Sequence, residues 1–173
     1  MSQQGHSQVK LADPIKFARD ARVARGEVAV AELGRLVDVL SDGSGMVSWV
    51  LQGELGEDRK PRLLLSASGV LQLRCQRCLG GLSWPLELSS RLLVVPVGQP
   101  IPDEELEDDA QDAIEAVADM DVVALVEEEI LLALPIAPRH DDCEVPRPRG
   151  GDQRKSPFAV LAGLKGRDGG HEA

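Results

Sequence analysis

The sequence predicts an α+β fold: an antiparallel β-sheet or partly closed barrel that carries one long buried helix, with short helices near the termini. Three observations point there. From Met46 to Val97 the apolar residues alternate with period two and are separated by short turn signals, the mark of successive half-buried strands. From Met120 to Leu134 the period shifts to that of a helix. Hydrophobic residues make up 43% of the 173 residues but aromatics only 2%, with no Tyr. A core is therefore affordable, but it must be built from Leu, Val, Ile and Ala.

Taken in order, residues 1–10 are polar and are expected to form a flexible N-terminus. The core domain is expected over 11–145, with an acidic loop at about 100–118, and a linker with a C-terminal docking tail over 146–173. Asp13-Pro14 reads as an N-cap with Pro at the first helical position. A short helix from Pro14 to about Arg25 follows, closed by Gly26. Val30 to Leu40 supports two periods, so helix and strand both stay open.

In the strand region Val47, Trp49 and Leu51 form one face. Arg62–Leu65 and Val70–Arg74 make the next strand region, with Ser66-Ala67-Ser68-Gly69 read as a turn or bulge between them. Leu82, Trp84, Leu86 and Leu88 alternate again, and Arg91–Val97 continues the strand. Tight connections between neighbours imply an antiparallel meander. Pro85 lacks an amide proton and belongs on an edge or at a bulge.

Between Pro100 and Asp121 there are ten acidic residues and no basic one, as many as the whole net charge of −10. The stretch reads as a solvated loop that can also serve as an acidic lip for a basic partner. In the helix that follows, Val122, Leu125, Val126, Glu129, Ile130 and Ala133 share a face, and Glu127 and Glu128 lie off it. Glu129 sits inside the apolar stripe, where Arg74 or Arg77 could pair with it. Pro135 stops the helix. After a Pro-Arg-Gly linker, Ser156-Pro157 starts a turn that puts Phe158, Leu161 and Leu164 on one side. Such a segment either docks on its own sheet or enters a partner's groove.

The chemistry-bearing residues are few. Cys75 and Cys78 are two residues apart at a strand end, and His140 and Cys143 repeat that gap far down the chain. Four N/S ligands would suit a structural zinc ion. The same residues also read as ordinary reduced cysteines packed as small hydrophobes. Thiol redox chemistry fits less well, because a strand and not a helix N-terminus follows the pair. No catalytic residue is suggested, so an enzyme is not expected. An acidic surface disfavours bare nucleic acid as the main ligand and favours a basic protein. Arg74, Arg77, Arg139, Arg147 and Arg149 could still form a local RNA-facing patch. The odd cysteine count argues against a secreted disulfide framework. The polar N-terminus lacks a signal-like apolar core, and no run reaches the roughly 18 apolar residues of a membrane span. The expectation is a cytoplasmic protein.

Several elements then combine: Cys75-Gln76-Arg77-Cys78 at a strand end, an acidic gap, and the Glu-rich helix running into Leu134-Pro135-Ile136-Ala137-Pro138-Arg139-His140. Cys143 and the closing Pro157-Phe158-Ala159-Val160-Leu161 follow. In this order they resemble the large ribosomal RNA subunit accumulation (YceD-like) family over nearly the full chain. The resemblance implies a non-enzymatic role in making or keeping large-subunit ribosomal RNA, with a ribosomal protein or pre-ribosomal particle as partner. Glu129, Arg77, Phe158, Leu161 and Leu164 are candidate partner-binding residues. The alternatives are a zinc-stabilised adaptor with a non-ribosomal client and a thiol oxidoreductase.

Overall fold

The computed structural model describes residues 9–100 and 112–146. The N-terminus expected to be flexible, most of the expected acidic loop and the expected C-terminal docking tail with Phe158, Leu161 and Leu164 lie outside these residues.

The strands are β1 (Lys10–Leu11), β2 (Val23–Ala29), β3 (Leu40–Asp42), β4 (Met46–Leu55), β5 (Pro61–Arg74), β6 (Gly81–Val95), β7 (Asp112–Glu115) and β8 (Met120–Asp121). The helices are α1 (Pro14–Arg19) and α2 (Val122–Ala133). The main sheet has the order β2-β4-β5-β6-β7, with β3 pairing the far end of β5, and a small β1–β8 ribbon stands apart. The mixed α+β class expected from the sequence holds. The sheet is open, not a partly closed barrel, because β2 and β7 end it and do not pair with each other.

One face of the sheet carries the core. Burial alternates along β4 and β5, with Val47, Trp49, Leu51, Leu63, Leu65, Ala67, Leu71 and Leu73 all pointing inward. The opposite face stays in water, with Ser66 and Ser68 exposed and Val70 48% exposed. A one-sided antiparallel sheet gives this alternation. The expected break at Ser66–Gly69 is absent. β5 runs through it in register with β4 on one side and β6 on the other, because the serines only mark the wet face. Pro85 pairs with Val70. β7 reaches only Leu92–Val95 of β6, so Pro85 lies where β6 is an edge among the described residues.

The core is closed from the inner side by α1, two short 3₁₀ turns and α2. α1 is shorter than expected. It ends at Arg19, Ala21 takes a left-handed φ of 49°, and the chain turns into β2. Asp13 caps the helix, its Oδ1 accepting the Lys16 amide at 2.8 Å. α1 rests against β4 at Gly53, where a Cβ would come within 2.5 Å of the Phe17 carbonyl oxygen. Only glycine lets the two backbones come this close. The ambiguous Val30–Leu40 stretch resolves into 3₁₀ turns at Val30–Glu32 and Gly34–Leu36, then β3. Val30, Leu33 and Leu36 are buried from it.

Asp112–Glu115 belongs to the sheet and not to the acidic loop. It pairs parallel to β6, Leu92 opposite Asp112 through Val95 opposite Glu115, so the meander ends in one parallel return. Asp121 then caps α2, its Oδ1 accepting the amides of Val123 at 2.9 Å and Ala124 at 3.3 Å. Val122, Leu125, Val126, Glu129 and Ile130 are buried as the periodicity requires. Ala133 is exposed and Leu132 is 71% exposed, so the last turn leaves the core. Among the described residues no helix is long and apolar enough to cross a membrane.

Two carboxylates are buried under α2. Glu127, expected off the apolar face, is 9% exposed and accepts the Arg35 backbone amide at 2.7 Å. It fills the position of a cap for the second 3₁₀ turn. Glu129 is 5% exposed. The arginines proposed for it lie elsewhere: Arg74 extends toward the Leu40 carbonyl and Arg77 toward His140 and Asp141. Desolvation pushes the Glu129 carboxyl above its ordinary value, a Ser90 hydrogen bond opposes this, and Asp112 and Glu128 add to the rise.

Candidate metal centre

β5 and β6 are the two longest strands and run together to the pair Arg74–Gly81. The six residues Cys75–Gly80 make the turn at their tip. The turn is held by its own backbone: the Cys75 amide donates to the Gly80 carbonyl and the Leu79 amide to the Cys75 carbonyl, both at 2.9 Å. Leu79 adopts a left-handed φ of 62° to close it. The segment after α2 then crosses this tip. The Gln76 amide donates to the Pro138 carbonyl at 2.8 Å. The Arg77 guanidinium donates to the carbonyls of His140 at 3.0 Å and Asp141 at 3.1 Å.

Through these contacts the four residues singled out by spacing meet. The ligand atoms of Cys75, Cys78, His140 and Cys143 all lie within 4.8 Å of one another. Cys75 Sγ is 3.8 Å from Cys143 Sγ, and Cys78 Sγ is 3.4 Å from His140 Nδ1. A tetrahedron with metal–sulfur bonds of about 2.3 Å and metal–nitrogen bonds of about 2.0 Å has sulfur–sulfur edges of about 3.8 Å and sulfur–nitrogen edges of about 3.5 Å. These two separations match such edges, and the other four pairs lie within 4.8 Å. They are too long for a disulfide, and all three cysteines are free.

The histidine ring is oriented by a backbone carbonyl. Its Nε2 lies 2.9 Å from the Gly81 carbonyl oxygen. A carbonyl can only accept, so Nε2 carries a proton, and in the neutral imidazole Nδ1 would then present its lone pair to the sulfurs. A second hydrogen bond of this kind commonly orients metal-binding histidines.

The thiols are prepared unequally. Cys75 is fully buried, yet its thiol is held down to about 5 from an ordinary 9.0. The Cys78 amide is the largest cause, and the amides of His140 and Arg77 and the Cys78 side chain outweigh the opposing desolvation. The Arg77 amide stands 3.4 Å from Cys75 Sγ. Cys78 is pulled down by the Gly80 amide, but desolvation and the neighbouring sulfurs of Cys75 and Cys143 hold it up overall. A sulfur ringed by amides at a tight turn is a good metal ligand. Cys75 is closed to an external disulfide, whereas Cys78 and Cys143 are only partly buried.

Sequence spacing singled out the four residues that the structure brings together. It missed the brace. Arg77, singled out as a partner contact, ties the two halves of the site together through backbone carbonyls. The Pro138 and Gly81 carbonyls, which fix the crossing segment and the imidazole, leave no trace in residue type.

The comparisons bear on the same stretch. The family model described as Large ribosomal RNA subunit accumulation protein YceD matches residues 63–165. The chain belongs to this family. The YceD match takes in β5 from Leu63 on, β6, α2 and the whole Cys75–Cys78–His140–Cys143 cluster, and it extends into the tail. A relative from Haemophilus influenzae, a Large ribosomal RNA subunit accumulation protein YceD, is 30% identical over 176 residues, covering 88% of this chain and 93% of its own length. No solved structure matches the chain.

Proposed function

We propose that this chain is a non-enzymatic accessory factor in the accumulation of large-subunit ribosomal RNA. It works through contacts with a ribosomal protein or a pre-ribosomal particle in the cytoplasm. The observation that carries this reading is membership of the YceD family, supported by a relative of nearly the same length that bears that name. The net charge of −10 favours a basic protein over bare RNA as the first contact.

The Cys75–Cys78–His140–Cys143 cluster serves this role as a clip. Three thiolates and one imidazole form a donor set that suits zinc and is poorly matched to calcium or magnesium. Zinc has no redox chemistry of its own and, with four protein ligands, no open position for a substrate. Bound there, it would fasten the β5–β6 tip to the segment after α2 and fix where the C-terminal tail leaves the domain. Arg77 holds the carbonyls behind His140, and Glu129 stays under α2, so both are assigned to shaping the scaffold.

The role is tested in cells. A strain lacking the protein should show fewer large-subunit particles by sedimentation and less intact large-subunit ribosomal RNA. Unchanged particles and unchanged RNA would remove the proposal and leave an adaptor with another client.

A further inference from the structure

A groove of about 480 Å³ lies between the β7–β8 turn and the start of α2. Val117, Met120 and Leu125 contribute an apolar floor, and Val117 is 52% exposed. The rim carries Glu115, Asp119, Asp121 and Glu128. Three of these acids have local duties. Asp121 caps α2, Glu115 accepts the Gly98 amide at 3.2 Å, and Glu128 stands 3.9 Å from Arg35. None of these duties but the last brings a positive charge, so the rim remains acidic. Other grooves among the described residues differ. The one over Ser48, Ser66 and Ser89 has Glu87 as its sole charge, and the one at Glu54 and Asp58 mixes in Arg62 and Arg91.

An apolar floor with an acidic rim repels phosphate backbones. It is complementary to apolar anchors flanked by cations. The chain itself carries such a segment. From Arg154 to Arg167 there are four cations and no acid: Arg154 and Lys155 precede Phe158, Leu161 and Leu164, and Lys165 and Arg167 follow them. The tether to that segment is long on the scale of the domain. Eleven residues, 147–157, separate Pro146 from Phe158 and span up to about 36 Å when extended. That is roughly the diameter of a domain of this size. A tether of this length keeps the effective concentration in the millimolar range, so a weak contact suffices.

We propose that the C-terminal segment Arg154–Arg167 docks into this groove of its own chain. Phe158, Leu161 and Leu164 cover the apolar floor, and the flanking cations face the carboxylate rim. This proposal stands apart from the ribosomal role and is tested on different material.

The test places the photo-crosslinking residue p-benzoylphenylalanine at Val117 in the purified full chain and maps the links by mass spectrometry. An equal mixture of light and heavy isotope-labelled protein separates links within a chain from links between chains. The expected result is links to residues 156–165 of the same chain. Their yield should fall at least about tenfold in Phe158→Ser/Leu161→Ser, from the loss of two apolar anchors. It should also fall at high salt, as rim charges are screened. Links between chains would instead mark a second copy as the occupant and overturn the proposal. So would links confined to other parts of the domain, or a yield indifferent to the double substitution. The same full-length protein irradiated in cells should give the same tail links; a basic protein linked in their place would also overturn it.

Discussion

Stripping the ion from the Cys75–Cys78–His140–Cys143 cluster should loosen the molecule by an amount the structure lets one estimate. Cys78 and His140 are 62 positions apart. A cross-link closing a loop of that length removes about 4 kcal/mol of chain entropy from the unfolded state. Mass action gives a similar figure: free zinc at a thousand times its dissociation constant stabilises by about 4 kcal/mol. For a chain of this size, each kcal/mol moves the melting temperature by about 2–4 °C. Chelation should therefore lower it by about 8–16 °C. The assay pairs elemental analysis of protein purified without chelator with thermal unfolding before and after a strong chelator. One zinc per chain is expected. Cys75→Ser and Cys143→Ser should melt low from the outset and respond little to chelator. Protein that carries no metal in any preparation, or that melts identically with and without chelator, would refute the argument from tetrahedral edges.

Three further outcomes follow from the packing. Glu127→Ala removes the acceptor of the part-buried Arg35 amide and should cost about 1 kcal/mol in urea unfolding, while Glu127→Gln, which keeps an oxygen there, should cost less. Gly53→Ala forces a methyl group against the Phe17 carbonyl and should destabilise by about 1–3 kcal/mol through overpacking, with the separation of α1 from β4 visible in hydrogen exchange. Glu129 should give stability a negative pH slope. Its carboxyl is raised by desolvation, so the folded state holds a proton that the unfolded state has released. Its contribution is full below the ordinary value of 4.5 and is lost as pH rises through the elevated one. Glu129→Gln should flatten that slope and melt higher than the parent at neutral pH.

The parts of the fold set by local periodicity were legible in the sequence. β4 and β6 follow from alternation, and α2 from its stripe and from Asp121 and Pro135 at its ends. The Cys75–Cys78–His140–Cys143 cluster was also legible as a possible meeting point, because the two pairs repeat one spacing. What escaped depends on pairing over distance. Ser66–Gly69 looks like a turn because its side chains are small and polar, but the ladder on both sides makes it the middle of β5. Asp112–Glu115 looks like more acidic loop, yet its backbone finds an open edge on β6. Glu127 is polar and off the main stripe, and only the 3₁₀ turn at Gly34–Leu36 explains its burial. Whether the sheet closes is likewise set by which edges meet, and no residue of β2 or β7 announces that they do not.

The ribosomal role stands or falls on the sedimentation profile of ribosomal particles. Cells lacking the protein are compared with the same cells supplied with the full chain or with the Cys75→Ser/Cys143→Ser variant. The expected result is a loss of large-subunit particles and of intact large-subunit ribosomal RNA. The full chain should restore both, and the clip-deficient variant should do so poorly. Profiles and RNA indistinguishable between cells with and without the protein would contradict the account.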